Sequence, residues 1–191
     1  MTIRANDIFT PQGILEEVEK DPKLDFLMNI FNIPRAFGVS GFGGNWDVGK
    51  HSYATALIAV FWAKFNKYPE VTRNKLVIMA LLHDLHESVT GDILPMFKTD
   101  ELRSKLDELQ NNILEALEVE YDENLEKDLK ICDLVAFLYE VKQVSPNIMH
   151  PKKLNLANVM ANRQLETIYK YCEKKGIEKK KIQKFLNWLE I

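Results

Sequence analysis

Nowhere in this chain do apolar and polar residues alternate for long enough to build a strand; the apolar residues recur every third or fourth position instead. Leu102, Leu106, Leu109, Ile113 and Leu117 form one such stripe over residues 100–119, with Thr99 placed to cap it. The same period predicts helices over 14–33 (broken by Pro22), 48–65, 72–87, 124–144, 154–174 and 178–189. Thr72, just after Pro69, is the expected cap of its helix. Pro146 is the expected stop after residue 144, and Gly176 separates the last two helices. Glycine is sparse. Four of the eight glycines fall in Gly38-Val39-Ser40-Gly41-Phe42-Gly43-Gly44-Asn45, which reads as a plain loop because no P-loop lysine motif follows. The expected fold is an all-α bundle of about six or seven helices, in one domain covering residues 1–191.

The 191 residues suffice for one domain with a sizeable core and no structural staple. The net charge is -3 and the pI about 5.9. That balance argues against a nucleic-acid surface and leaves room for a small anionic substrate. Cys132 and Cys172 form no CxxC pair, so a reducing compartment is the simpler reading. Met1-Thr2-Ile3-Arg4-Ala5-Asn6-Asp7 has no apolar core of a signal peptide, and the apolar stretches 54–63 and 76–82 are too short to span a bilayer. The chain is therefore expected in the cytoplasm, with no membrane or nucleic-acid partner.

Four histidines are present: His51, His83, His86 and His150. His83 and Asp84 end the apolar run Met79-Ala80-Leu81-Leu82, where polar titratable groups are costly unless they are paired or hold a metal. His51 opens an apolar helix. Asp133 interrupts the apolar face of Leu129, Ile131, Leu134, Val135 and Phe137. Imidazole and carboxylate suit Zn, Mn, Co or Fe, and ligands on three separate helices can converge in a bundle core. Each residue alone also has an ordinary reading, as a hydrogen-bonded core histidine or a turn-capping aspartate. The joint pattern raises the metal reading above these.

That pattern, His51 … His83-Asp84 … Asp133, resembles the HD-domain superfamily of metal-dependent phosphohydrolases. Within it, His83-Asp84-Leu85-His86-Glu87-Ser88-Val89-Thr90-Gly91-Asp92-Ile93, followed by Pro95 and Lys98, is similar to the run of the 5′-deoxynucleotidases, and Trp46-Asp47-Val48-Gly49-Lys50-His51-Ser52 to their first-ligand motif. Arg35 matches an upstream arginine, and the similarity runs from about Arg35 to Glu140. Lys50 stands where that family has Glu, Ala36 replaces the aromatic beside the arginine (with Phe37 next along), and the glycine cluster is atypical.

The resemblance implies one divalent transition metal (Co, Mn, Zn or Fe) on His51, His83, Asp84 and Asp133, with a Mg ion on the substrate phosphates. It implies proton transfer or water positioning by Glu87, and Asp92 orienting water or protonating the leaving 5′-oxygen. Arg35 and Lys98 would bind phosphate, although both could equally be surface cations. It further implies a small-molecule nucleotide substrate and a homodimer. His86 is not expected among the ligands, and His150 is expected on an exposed loop. The lysines at 174–175 and 179–181, interleaved with Ile177, Ile182, Phe185 and Leu186, read as the solvated face of an amphipathic helix. Three functions stay open: a 5′-deoxynucleotidase, a deoxynucleoside triphosphate triphosphohydrolase, and a non-catalytic nucleotide sensor. Glu87 and Asp92 favour the enzymes, since a sensor has no need of proton-transfer carboxylates.

Overall fold

Residues 48–66 bury a face that is apolar from Ala56 on and carries His51, Ser52 and Thr55 before it, and they form the central helix of a computed structural model that describes residues 11–35, 46–94, 97–145 and 150–191, with Pro11 and Gln12 as backbone only. The glycine cluster at 38–45, Ala36, Phe37, Pro95, Pro146 and the first residues of the chain lie outside the described residues. The helices are α1 (Pro11–Lys20), α2 (Leu24–Met28), α3 (Val48–Asn66), α4 (Glu70–Leu82), α5 (Glu87–Thr90), α6 (Asp100–Ala116), α7 (Glu126–Val144), α8 (Pro151–Lys174) and α9 (Lys179–Trp188). Seven of these described helices have ten or more residues, as the sequence predicts, and no strand occurs among the described residues. None of the described helices is long and apolar enough to cross a membrane.

The main core joins α3, α4, α7, α8 and α9 through Trp62, Leu76, Ile131, Leu138, Ile168 and Phe185. A second cluster, with Val18, Leu85, Leu109 and Ile113, seats α1 and α6 against the segment after α4. Inside the main core Asp128 is satisfied by Trp62 Nε1 at 2.8 Å and the Tyr68 hydroxyl at 3.0 Å, so this buried carboxylate locks α7 to α3. Both cysteines are free and buried.

Several expected boundaries hold. Pro22 falls in the break between α1 and α2, Thr99 Oγ1 accepts from the Leu102 amide at 3.2 Å, and Gly176 takes φ +70° past the end of α8. Others move. α4 begins at Glu70, directly after an extended Pro69, so Thr72 lies inside the first turn and caps nothing. α8 starts at Pro151 rather than 154, because proline fits the first helical position. α6 stops at Ala116, and a 3-10 turn at Glu123–Leu125 precedes α7.

The most consequential difference is at the end of α4. The helix does not run to Glu87 but stops at Leu82; residues 83–86 turn, and Glu87 opens the separate α5. Gln110 of α6 explains the break. Its Nε2 donates to the Leu82 carbonyl at 2.8 Å, and its Oε1 accepts from the His86 amide at 3.0 Å. One side chain thus replaces the helical hydrogen bonds lost at the turn.

Candidate metal centre

His51 sits in the first turn of α3, capped by Asp47, whose carboxylate accepts from the Lys50 amide at 2.7 Å. His83 lies one residue past α4, and Asp133 lies on α7. The three elements bring His51, His83 and Asp133 together so that one ligand atom of each lies within 4.8 Å of the others. Asp84 stands at the edge of this group, with Oδ2 3.1 Å from His83 Nε2 and 3.9 Å from His51 Nε2. The two imidazole rings are 5.4 Å apart. His86 takes no part: it turns its Nδ1 to Gln110 Oε1 at 3.1 Å. His150, exposed, precedes α8.

The donor set fits a divalent cation. His83 Nδ1 donates to the Ala80 carbonyl at 2.8 Å, which leaves Nε2 to face the acids; that buried nitrogen makes no hydrogen bond among the described residues. His51 Nε2 meets Asp133 Oδ1 at 3.1 Å, and Lys130 holds the other Asp133 oxygen at 2.6 Å. Two imidazoles and the Asp133 carboxylate drawn together, with Asp84 at their edge, are a set that suits borderline divalent metals.

The electrostatics agree. Burial pulls the His51 pKa down, as does Arg35, but Asp133 and Glu140 outweigh both and raise it. His83 is likewise lowered by burial and raised overall by Asp84 and Asp133. Burial opposes ionisation of Asp84 and Asp133, yet the cationic neighbours, His83 for the first and Lys130 for the second, hold both carboxyls below their usual range. A negative pair beside two imidazoles that draw protons marks a place for a positive charge.

Next to this group lies a second one. Arg35 Nη1 is 3.3 Å from Asp92 Oδ2, 3.8 Å from Glu87 Oε2 and 3.9 Å from Asp84 Oδ2. Lys98 Nζ is 3.8 Å from Glu87 Oε1. Glu87 is almost completely buried, and its Oε2 makes no hydrogen bond among the described residues. Burial, then the charges of Asp84 and Asp92, push its carboxyl up to about 9. Gly91, at φ +74°, turns the chain after α5 and brings Asp92 to Arg35.

Every residue singled out for the site therefore falls in one place, including Arg35 and Lys98, which are not surface cations: their side chains keep only 12% and 19% of their exposure. Two neighbours were missed. Gln110 shapes the turn that carries His83 and Asp84, and no sequence signal marks it. Glu140, fully buried, faces His51 Nδ1 at 3.5 Å and Arg35 Nε at 3.6 Å. Its signal was its spacing, seven positions after Asp133 and so on the same side of α7 two turns on.

Residues 43–132 match the HD domain family. The matched stretch holds His51, His83, Asp84, Glu87, Asp92 and Lys98; it stops one residue short of Asp133 and does not reach Arg35. The match supports an HD-domain protein and, with it, metal-dependent phosphohydrolase activity in general. No curated protein and no solved structure matches the chain significantly.

Proposed function

We propose that the chain is a 5′-deoxynucleotidase, releasing inorganic phosphate from deoxynucleoside monophosphates. One observation carries this reading: the four expected metal ligands and the Arg35–Glu87–Asp92–Lys98 group share Asp84 and Arg35 as a common border. An ion site alone would serve structure or sensing. An ion site bordered by two cations and two further carboxylates has the parts needed for phosphate-ester hydrolysis.

A divalent transition ion on His51, His83, Asp84 and Asp133 would supply a Lewis acid and lower the pKa of a coordinated water. Arg35 and Lys98 would take the remaining phosphate oxygens. Their contacts to carboxylates are long, 3.3 to 3.9 Å, so exchanging one for a phosphate oxygen disrupts no tight pair. Glu87, buried beside both cations, would transfer a proton or position the attacking water. Asp92 would orient water or protonate the leaving 5′-oxygen. A cleft of about 750 Å³ has His83, Asp84 and Asp133 in its wall and extends to Tyr121 and Tyr171. That is room for a nucleoside.

A panel of nucleoside mono- and triphosphates with Mn, Co and Mg, analysed for phosphate and tripolyphosphate, tests the reading. Phosphate from deoxynucleoside monophosphates supports it. Tripolyphosphate from triphosphates replaces it with the triphosphohydrolase, and tight nucleotide binding without turnover replaces it with the sensor.

A further inference from the structure

Glu140 is the most deeply buried carboxylate near the site, and it lacks the partners such a group normally demands. Neither of its oxygens makes a hydrogen bond among the described residues. Its surroundings are two cationic or proton-bearing groups, each at the outer limit of an ion pair: His51 Nδ1 at 3.5 Å and Arg35 Nε at 3.6 Å, both on Oε2. His51 Nδ1 and Arg35 Nε are themselves buried without a hydrogen bond among the described residues. Burying a carboxylate whose only partners are long ion pairs without a hydrogen bond is costly, which selects against it unless its charge is used. Asp128, on the same helix, shows the ordinary structural solution: two short hydrogen bonds, to Trp62 and Tyr68. Glu140 has no such bonds.

The two neighbours of Glu140 belong to different halves of the site. His51 presents Nε2 to Asp133 at 3.1 Å, on the side of the metal centre. For Nε2 to offer its lone pair there, the ring proton must sit on Nδ1, the nitrogen that faces Glu140. A carboxylate behind a ligating imidazole fixes that tautomer and makes the ring more basic. Arg35 presents Nη1 to Asp84, Glu87 and Asp92, while its Nε points back to Glu140. The same oxygen thus faces the rear of a metal ligand and the rear of the phosphate-side arginine.

Resting on the reading above, we infer that Glu140 is a positioning residue that holds both halves of the site in register: it keeps His51 Nε2 aimed at the ion and Arg35 Nη1 aimed at the substrate phosphate. It touches neither. Because one oxygen serves both, removing its charge affects ion binding and anion binding together.

The test uses the full chain, stripped with a chelator and titrated with Mn or Co against a chromophoric competitor, then with inorganic phosphate once loaded. Glu140→Gln keeps the shape and removes the charge. Its metal affinity should fall on the order of ten- to a hundredfold, and phosphate binding to the loaded protein should weaken as well. Asp128→Asn is the comparison: it should lower Tm and leave metal affinity unchanged. Glu140→Asp, which keeps the charge but withdraws it by a methylene, should recover part of the metal affinity and serves if the Gln variant does not fold. Glu140→Gln, or failing it Glu140→Asp, with metal affinity within about twofold of wild type at reduced Tm follows the Asp128 pattern and overturns the inference. Wild type that takes up no metal instead sinks the phosphohydrolase reading, a separate and distinguishable failure.

Discussion

His83 Nδ1 donates to the carbonyl of Ala80, three residues back in its own chain. The contact lies at the end of α4 and aims the ring, because the nitrogen committed to the backbone cannot ligate and the other must face Asp84 and Asp133.

Loss of a ligand should therefore remove ion and activity together. His83→Ala and Asp133→Ala should each bind no stoichiometric metal and show no turnover, whereas His150→Ala, at an exposed position outside the cluster, should retain both. Elemental analysis of the purified variants decides this, and full metal occupancy in Asp133→Ala refutes the site as drawn.

Glu87 separates the enzyme from the sensor. Glu87→Ala should keep metal and nucleotide binding and lose at least about a hundredfold in kcat, the lower end of what a positioned acid–base group contributes. Turnover near the wild-type rate with any accepted nucleotide rules out the proposed role.

The buried carboxyl of Glu87 also makes the metal-free protein sensitive to pH. Its pKa is about 9 when folded against an ordinary 4.5. Below about pH 4.5 both states are protonated and the group is neutral to stability. As pH rises from there toward 9, the unfolded chain ionises and the folded one does not, so stability falls. With a chelator present, Glu87→Gln should melt above wild type at pH 8, and the difference should shrink steadily toward pH 5. A Tm difference that is flat or grows toward acid contradicts the burial argument.

Gly49, in the first turn of α3, lies under Phe31. A Cβ there would stand 2.5 Å from Phe31 Cδ1 and 2.8 Å from Cγ, too close for any carbon. Alanine gains at most about 1 kcal/mol in helix propensity, which cannot offset displacing the ring. Gly49→Ala should lower the urea midpoint, and the Phe31→Ala background should abolish most of that loss. A Gly49→Ala protein as stable as wild type shows that the ring moves at no cost.

The fold and most of the site were legible because each rests on a local pattern. The leucine stripe of α6, Pro22, Thr99 and Gly176 act within a few residues of themselves, and His83-Asp84 announces itself by ending an apolar run. What was missed depends on groups far apart in sequence. Thr72 offers a good cap by type, but Pro69 had already set the start of α4. The end of α4 was placed too late because Gln110, from another helix, takes over its hydrogen bonds. Glu140 carried a readable spacing from Asp133 but gained its meaning only once Arg35 and His51 were seen to meet behind it.

His51 and Asp133 stand 82 positions apart in the chain, and His83 falls between them on a third element. An ion held by all three ties the ends of two long loops, so its occupancy is coupled to the cooperativity of unfolding. At a free concentration one hundred times its Kd, an ion bound only by the folded state adds about 2.7 kcal/mol. Amide protons of α3, α4 and α7 should then exchange as one block in the loaded protein, and chelation should let the turn after Leu82, which Gln110 helps to hold, open first.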